Sequence, residues 1–329
     1  MSVMVTGGTG FVGLNLVEAL LARGEAVVVV ALDDVPAPAL RAFAGLAGRL
    51  VVERMDVRDQ AGLVGLMRRH GVDRLFPFAA ITSGPEREAE VPELVIEVNL
   101  LGFIAQMRAA REAGVRRVVA PSSAAVYGES FYRHARLDEV TTPAVPVGVY
   151  GVTKYAVERC ALRLGALWGM DVVVARIGSV FGPWERDTGL RDMIGPHWHL
   201  ARMALDGREA VLPAVIPSYT WVYSRDVAGG LLHLLDMAAP AELVFNLCSG
   251  MAWGDVILAW AERLRGDYPG FRWRQSADAG AVNVRFSETR ARGAMDVSRV
   301  AGTGWRPRFG PQEAYADYAA WVRGTAGGV

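Results

Sequence analysis

The sequence lacks the features of a disulfide-stabilised, metal-binding, nucleic-acid-binding or membrane protein. Its two cysteines, Cys160 and Cys248, make neither a disulfide framework nor a metal-ligand pattern. No apolar run approaches the roughly 18–20 residues of a membrane span, and the first five residues are too short for a signal peptide. Because 35 basic and 35 acidic residues balance to zero net charge, electrostatic binding to nucleic acid or a membrane is not expected. We therefore expect a cytoplasmic protein with neither partner.

Tryptophan is missing from the first half of the chain, since all nine lie at Trp168 or later. Up to residue 177, strand-like runs alternate with helical segments, a pattern typical of a parallel sheet with helices on both faces. Beyond it the alternation weakens. We predict an α/β fold: a Rossmann-type, doubly wound parallel sheet in residues 1–180, with a returning segment at about 219–248, and a smaller mixed α/β lobe over 181–329.

A glycine-rich turn follows the first predicted strand, Ser2–Thr6. It reads Gly7-Gly-Thr-Gly-Phe-Val-Gly13 and leads into an apolar-periodic helix, which is the context of a dinucleotide-binding fingerprint. Gly7 allows the tight turn, Gly10 lets the backbone approach a diphosphate, and Gly13 lets the helix pack against the strand. The helix N-terminus then offers free N–H groups to the phosphates. The other interpretation is an ordinary strand-to-helix turn.

The second predicted strand, Ala26–Leu32, ends at Asp33-Asp34. Asp33 lies where a carboxylate meets the adenosine ribose hydroxyls of a dinucleotide. A carboxylate there repels a 2′-phosphate, and no arginine is adjacent, so we predict NAD rather than NADP. Asp34 is the alternative for this role, and a solvated loop acid is the other interpretation of Asp33.

Tyr150 and Lys154 lie four residues apart in a predicted helix over Val149–Trp168. This spacing places both on one face of the helix. An ammonium favours the phenolate, so we expect Lys154 to lower the pKa of Tyr150 toward the working pH. Such a phenol takes a proton from an alcohol and returns it to a carbonyl. Many surface helices carry the same spacing, so this interpretation depends on the glycine turn and on the upstream pair Ser122-Ser123.

Taken in order, the motifs resemble the extended short-chain dehydrogenase/reductase family, the group of NAD-dependent sugar epimerases and dehydratases. The resemblance spans nearly the whole chain and implies NAD as the cofactor, a cofactor lobe, a substrate lobe, and often a homodimer built through helices around 92–113 and 149–168. It rests on Thr6–Gly13, Asp56-Val57, Phe78-Ala79-Ala80, Asn99–Gly102, Ser122–Gly128, Tyr150-x-x-x-Lys154, Arg176 through Phe181-Gly182-Pro183, and Val222–Ala228.

The resemblance also implies roles. Tyr150 is the general acid/base, Lys154 tunes its pKa and binds the nicotinamide ribose, and Ser123, with Ser122 as the alternative, hydrogen-bonds the reacting oxygen. Trp184 is a candidate to stack on a sugar and Arg191 to clamp a carboxylate or phosphate, although a charged connector with one packed tryptophan fits equally well. The candidate cofactor-binding residues are Gly7, Gly10, Phe11, Val12, Gly13, Asp33, Asp56, Val57, Phe78, Ala79, Ala80, Asn99, Tyr150, Lys154 and Ile177. The candidate substrate-binding residues are Thr82, Ser123, Ala124, Ser179, Trp184, Arg191 and Tyr219.

Four positions depart from the family pattern. Ala124-Ala125 stands where dehydratases carry Asp-Glu, which disfavours 4,6-dehydration because no second acid is present there. Ser179 replaces an Asn, and Tyr219 replaces an Arg, that meet the substrate diphosphate in nucleotide-sugar epimerases. Those departures weaken the case for a nucleotide sugar, although an arginine among Arg285, Arg290 and Arg292 remains available. The stretch Arg176-Ile-Gly-Ser179 also looks like uronate dehydrogenases.

The leading hypothesis is an NAD-dependent epimerase or oxidoreductase acting at a carbinol of a carbohydrate. The alternative is a dehydrogenase of a free sugar or sugar acid. A non-catalytic dinucleotide-binding sensor is disfavoured, because Ser123, Tyr150 and Lys154 are all present. His197 and His199 have no third ligand and do not face together on a helix, so no metal site is expected.

Overall fold

The structure is a computed structural model that describes residues 1–238, 240–286 and 289–325. In chain order the strands are β1 (Ser2–Thr6), β2 (Ala26–Ala31), β3 (Arg49–Arg54), β4 (Val72–Pro77), β5 (Arg117–Ser123), β6 (Arg136–Leu137), β7 (Asp171–Ile177), β8 (Ser179–Phe181), β9 (Glu209–Pro213), β10 (Trp221–Tyr223), β11 (Val244–Leu247), β12 (Arg272–Ser276) and β13 (Ala294–Met295). The helices are α1 (Phe11–Ala22), α2 (Ala37–Phe43), α3 (Gln60–Arg69), α4 (Pro85–Glu90), α5 (Pro92–Ile96), α6 (Gly102–Ala113), α7 (Val149–Trp168), α8 (Pro196–Leu205), α9 (Ser224–Asp236), α10 (Val256–Asp267), α11 (Ser298–Gly302) and α12 (Pro311–Gly324).

Seven strands form one parallel sheet in the order β11-β7-β5-β4-β1-β2-β3. In its centre Met4 of β1 is in register with Val28 of β2 and Leu75 of β4. The direction of chain progression reverses between β1 and β4, and ligands of such sheets bind at that point, outside the carboxyl ends of the strands. The predicted Rossmann-type, doubly wound fold is confirmed.

Alternation along the strands divides the core into two layers. Val3 and Val5 pack on one side of the sheet with residues of α1, α2 and α9, whereas Met4 packs on the other with residues of α3, α6 and α7. Strands buried on both faces are continuous apolar runs, which is why β1 and β2 are so apolar. Helix α9 packs against α1, and β11 extends the sheet beyond β7, so the predicted returning segment contributes to this layer.

A second core, rich in aromatic residues, is formed by side chains of β8, β9, β10, α8, α10 and α12. Phe181 is stacked on His197 with ring centroids 4.2 Å apart and also contacts Trp221 and Trp253. Burial lowers the pKa of His197 to about 3, and its Nε2 lies 3.1 Å from the hydroxyl of Tyr315, so this histidine is a neutral core residue. The division near residue 181 stays a prediction. Within the described ranges no helix is long and apolar enough to cross a bilayer.

One long predicted helix, Pro92–Ala113, differs in the structure. It consists of α5, a π-helical turn over Glu97–Leu101, and α6. Single π turns inside helices often mark functional sites, and this one contains Asn99. Helices α2 and α4 and the short strands β6, β8 and β13 are each too short to show a periodic pattern in the sequence.

A buried ion pair joins α7 to the sheet. Arg176 Nη2 of β7 lies 2.6 Å from Glu158 Oε1 of α7, and the two side chains are 6% and 1% exposed. The same carboxyl group accepts a hydrogen bond from the hydroxyl of Ser122 in β5 at 3.1 Å. Buried charges persist when they are paired and hydrogen-bonded, so Glu158 fixes α7 against β5 and β7.

Replacing Glu158 with Gln should destabilise the protein by about 3–5 kcal/mol, because Arg176 would remain buried without its counter-charge. Chemical denaturation of wild type and variant measures the difference in free energy of unfolding. The matched control is Glu209→Gln, which removes a pair with Arg274 whose side chains are 50% and 51% exposed and should cost less than about 1 kcal/mol. Equal small losses for the two variants would contradict the assigned role of Glu158.

Candidate active site

One cavity of about 820 Å³ lies at the carboxyl ends of the sheet strands. It runs from the glycine-rich turn past Tyr150 to Arg290 and Arg292, which lie near the aromatic core. The predicted cofactor-binding and substrate-binding residues therefore line one continuous cavity. Every predicted site residue lines it except Asn99 and Trp184. The lining residues among those predictions are Gly7, Gly10, Phe11, Val12, Gly13, Asp33, Asp56, Val57, Phe78, Ala79, Ala80, Thr82, Ser123, Ala124, Tyr150, Lys154, Ile177, Ser179, Arg191 and Tyr219.

The glycine turn is packed too closely for side chains at two of its positions. Gly7 has a φ of +62°, and a Cβ there would lie 2.7 Å from the Cα of Ala79. A Cβ on Gly13 would lie 2.4 Å from the carbonyl oxygen of Gly7. Glycine therefore lets β1 turn sharply at Gly7 and lets α1 begin against the turn.

The residues present fit a dinucleotide. A Cβ on Gly10 would meet only the carbonyl oxygen of Gly7, at 3.2 Å, and would otherwise project into open space that a diphosphate can fill. No side chain caps α1, so its first-turn N–H groups are available to phosphate oxygens. Asp33 follows β2 at the same edge and lines the cavity. The carboxyl group of Asp56 also lines it and is paired with Arg58 at 2.7 Å, which lowers the pKa of Asp56.

Three hydroxyl groups meet at the centre of the cavity. Tyr150, at the start of α7, lies close enough to the side chains of Ser123, at the end of β5, and Thr82, beyond β4, for both to lower the pKa of its phenol. The Ser123 hydroxyl also accepts the N–H of Ala125 at 3.1 Å. Ser122 points elsewhere, since its hydroxyl is bonded to buried Glu158. Of the two serines, Ser123 is therefore the one whose hydroxyl meets Tyr150.

The prediction that Lys154 lowers the pKa of Tyr150 is wrong for the protein without its cofactor, because the pKa of Tyr150 is raised and Lys154 does not contribute to the shift. Burial raises the pKa of Tyr150, while Ser123, Arg191 and Thr82 act in the opposite direction. Burial also lowers the pKa of Lys154 to about 8. The Lys154 ammonium lies 5.7 Å from the centre of the Tyr150 ring and 3.5 Å from the carbonyl oxygen of Pro121. Both groups share one buried environment, which penalises the charged form of each.

Trp184 is a core residue and not a sugar platform. It is 4% exposed, its Nε1 donates to Glu18 at 2.7 Å, and its ring packs edge-on against Phe43 and Trp321. Its φ of +68° costs about 1–2 kcal/mol for a residue with a side chain. Burial of the Trp184 ring offsets that conformational cost.

Asn99 lies beneath the cofactor channel and does not line it. It is 3% exposed, and its side chain accepts the N–H of Ile81 at 2.7 Å and donates to the carbonyl of Ile81 at 2.9 Å. It also donates to the hydroxyl of Thr153 at 3.2 Å. Asn99 therefore holds the strand end that precedes Thr82 against α7, and it affects the site through those neighbours.

Residues 185–194, which we name the crossing segment, follow the core residue Trp184 and pass along the cavity to Thr82 beyond β4. Its Asp192 donates its N–H to the carbonyl of Thr82 at 3.0 Å and pairs with Arg87 of α4 at 2.7 Å. Arg191 lies 4.9 Å above the Phe11 ring and 3.0 Å from the buried carboxyl group of Glu185. The predicted anion ligand Arg191 is thus held inside the cavity.

The sequence did not indicate two further polar residues of the cavity. Arg186 of the crossing segment reaches the glycine turn, where its Nη2 donates to the carbonyl of Thr9 at 2.6 Å. Glu88 of α4 accepts the N–H of Tyr150 at 3.0 Å and the hydroxyl of Ser83 at 2.9 Å. Glu88 thereby anchors the first turn of α7 with a negative charge. No spacing pattern links these residues to the site.

At the far end of the cavity, arginines lie on aromatic rings. The Tyr219 ring stacks on Trp221 at 5.1 Å, and the guanidinium of Arg292 lies 4.7 Å from the centre of the Tyr219 ring. Arg290 lies over Tyr132 and is paired with Glu129. Arg290 and Arg292 line the cavity together with Tyr219, whereas Arg285 does not line it.

Comparison with known proteins identifies the relationship. The family described as the NAD dependent epimerase/dehydratase family matches residues 3–248. Sterol demethylase protein B of Methylococcus capsulatus is 34% identical over 271 residues, which cover 81% of this chain and 75% of that protein. The ADP-L-glycero-D-manno-heptose-6-epimerase of Pseudomonas aeruginosa is 29% identical over 343 residues and covers 99% of this chain and 100% of its own length.

A solved structure is similar over the same extent. MoeE5 in complex with UDP-glucuronic acid and NAD is 26% identical to this chain, with a TM-score of 0.78. The similarity covers 99% of this chain and 100% of that chain. The similarity to MoeE5 therefore extends over the whole architecture and not the glycine turn alone.

Lys154 is the only lysine in the sequence, which allows its ionisation to be observed directly. We expect it to titrate in the cofactor-free folded protein at about 8, against 10.5 for an unperturbed lysine. Between these values the unfolded chain binds more protons than the folded chain, so the Lys154 contribution to stability rises as the pH rises through this window. NMR of isotope-labelled lysine measures the pKa, and chemical denaturation across the window measures the stability.

The control for this titration compares Lys154→Met with Arg159→Met, an exposed cation on the same helix. Wild type should gain stability relative to Lys154→Met as the pH rises from about 8 to 10.5. Arg159→Met should run parallel to wild type. A lysine signal that titrates near 10.5 would show that Lys154 is not held as the structure describes.

Proposed function

The chain belongs to the NAD-dependent epimerase/dehydratase family, of the extended short-chain dehydrogenase/reductase type, and its cofactor is NAD; on that basis we propose that it transfers hydride at a carbinol of a sugar derivative with Tyr150 as acid/base. The observation that carries the proposal is that Tyr150, Ser123 and Thr82 line one cavity, where Ser123 and Thr82 lie close enough to lower the pKa of the Tyr150 phenol. The glycine turn also lines this cavity. A carbon–oxygen bond at this point would lie within reach of both the proton donor and the cofactor channel.

Each side chain then has a distinct task. The Tyr150 phenolic oxygen takes the proton of the substrate hydroxyl during oxidation and returns it during reduction. Ser123 holds the same oxygen, where negative charge develops, and Thr82 completes the contact. NAD supplies the hydride acceptor when bound. Lys154 places an ammonium one helical turn from Tyr150, and Glu88 holds the backbone N–H of Tyr150, so the phenol is positioned from both sides.

The substrate class we favour carries an anion. Arg191 and Arg292 both line the cavity, and arginine binds carboxylates and phosphates in bidentate fashion. The ADP-L-glycero-D-manno-heptose-6-epimerase of P. aeruginosa favours an epimerase reaction on a nucleotide sugar. The UDP-glucuronic acid bound to MoeE5 also favours a nucleotide sugar. Ala124, in place of an acid, favours reactions other than 4,6-dehydration.

A dehydrogenase of a free sugar or sugar acid is the second candidate. It is favoured by Ser179 and Tyr219, which line the cavity where nucleotide-sugar epimerases of the family carry Asn and Arg. The two candidates differ in the fate of the hydride. An epimerase returns it to the opposite face of the same carbon, whereas a dehydrogenase releases reduced cofactor.

Replacing Tyr150 with Phe should lower turnover by roughly 10²–10⁴-fold, because the acid/base is lost while the ring is kept. NAD binding, measured by calorimetric titration, should remain. The matched control is Tyr155→Phe on the same helix, which does not line the cavity and should retain activity. Full turnover in Tyr150→Phe would refute the acid/base assignment.

A panel of sugars, sugar acids and nucleotide sugars separates the two candidates. We expect isomer exchange by NMR, without net NADH, on at least one nucleotide sugar if the protein is an epimerase. Steady accumulation of NADH absorbance with a free sugar or sugar acid, and no isomer exchange, would instead establish the dehydrogenase. Activity with neither class, under saturating NAD, would contradict the proposed function.

A further inference from the structure

We propose that Arg186, which extends from the crossing segment to the glycine turn, is a ligand of the cofactor's diphosphate. The proposal rests on NAD as the cofactor and not on which carbohydrate is the substrate. The sequence places Arg186 outside every cofactor motif, 177 residues from its partner Thr9. Only the fold brings the two together.

The guanidinium of Arg186 is only partly satisfied by the protein. Its Nη2 donates to the carbonyl oxygen of Thr9 at 2.6 Å. Its Nη1 is buried and has no hydrogen-bond partner, and within the described part of the chain Arg186 has no carboxylate within 4.0 Å. Burial lowers the pKa of Arg186, while the charge of Asp33 raises it. Arg186 as a whole is partly exposed, but a buried N–H group without a partner is costly unless an acceptor binds it.

The location of Arg186 selects the diphosphate as that acceptor. Thr9 immediately precedes Gly10, at the position of the turn where the backbone is open to a phosphate. Arg186 lines the same cavity as Gly10, Phe11 and Val12, whose turn and helix N-terminus attract phosphate oxygens. A guanidinium adds a full positive charge and paired N–H donors, which match two phosphate oxygens.

A 2′-phosphate on the adenosine ribose is the competing acceptor. Asp33 lies near enough to Arg186 to influence its charge, and its carboxylate would repel a phosphate at the ribose. NAD carries a diphosphate and no 2′-phosphate. The two interpretations therefore predict different ligands for the same side chain.

The crossing segment is fixed on both sides of Arg186. Before it, Trp184 is anchored in the core by Glu18. After it, Asp192 is paired with Arg87 and accepts the N–H of Gly84 at 2.9 Å. Because both ends are held, Arg186 is positioned before the cofactor arrives, and little side-chain freedom is lost on binding.

The test measures binding of NAD, ADP-ribose, adenosine and 2′-AMP to wild type, Arg186→Met, Arg186→Lys and Arg208→Met. Arg208 is an exposed arginine that does not line the cavity, so Arg208→Met is the matched control. Calorimetry measures the tight ligands, and ligand-observed NMR measures adenosine and 2′-AMP. For Arg186→Met we expect at least about tenfold weaker binding of NAD and ADP-ribose, with adenosine unchanged. Arg186→Lys should recover part of the loss.

Two outcomes would overturn the proposal. Equal loss of adenosine and ADP-ribose affinity would show that Arg186 only supports the fold of the adenosine site, and a loss confined to 2′-AMP would assign it to the ribose. The ADP-ribose to adenosine ratio stays informative even if Arg186→Met is less stable. Failure of wild type to bind NAD at all would instead count against the cofactor assignment, which distinguishes the two failures.

Discussion

The buried ion pair between Glu158 and Arg176 sets the geometry on which the site depends. Tyr150, Lys154 and Glu158 recur every four residues, so one face of α7 carries the phenol, the ammonium and the carboxylate. Glu158 binds Arg176 of β7 and the Ser122 hydroxyl of β5. Because Ser123 follows Ser122 directly, the same interaction that locks the helix to the sheet also sets the distance from Tyr150 to Ser123.

Charge is distributed unevenly around this point. Below the cavity the Glu158 carboxylate is paired and hydrogen-bonded. In the cavity Lys154 is buried and Tyr150 is partly buried, and no carboxylate of the described residues is paired with the Lys154 ammonium. The pKa of Tyr150 is therefore raised and that of Lys154 lowered to about 8. Polar groups held in a poorly solvated pocket respond strongly to any charge brought near them. A change of charge on a bound ligand would therefore alter the pKa of Tyr150.

The regular elements and the motif residues could be predicted from the sequence, because both depend on short-range patterns. The predicted strand Ser2–Thr6 and the predicted helix Val149–Trp168 coincide with β1 and α7, and the predicted glycine turn lies at the switch point of the sheet. Trp184 and Asn99 were misassigned to the site, since a motif gives position along the chain but not the direction of a side chain. Arg186 and Glu88 could not be found, because their contacts join residues 177 and 62 positions apart.

The composition gives a last physical argument about the site. Of 35 basic residues, only the one at position 154 is a lysine. An arginine there would keep its proton at every working pH and would bring five N–H donors into a pocket where the ammonium has one carbonyl near it, that of Pro121. A lysine is compact, and burial moves its pKa to about 8, close to neutrality. Among the described residues arginine forms most of the ion pairs and cation–π contacts, whereas position 154 carries a smaller cation whose pKa lies closer to neutrality.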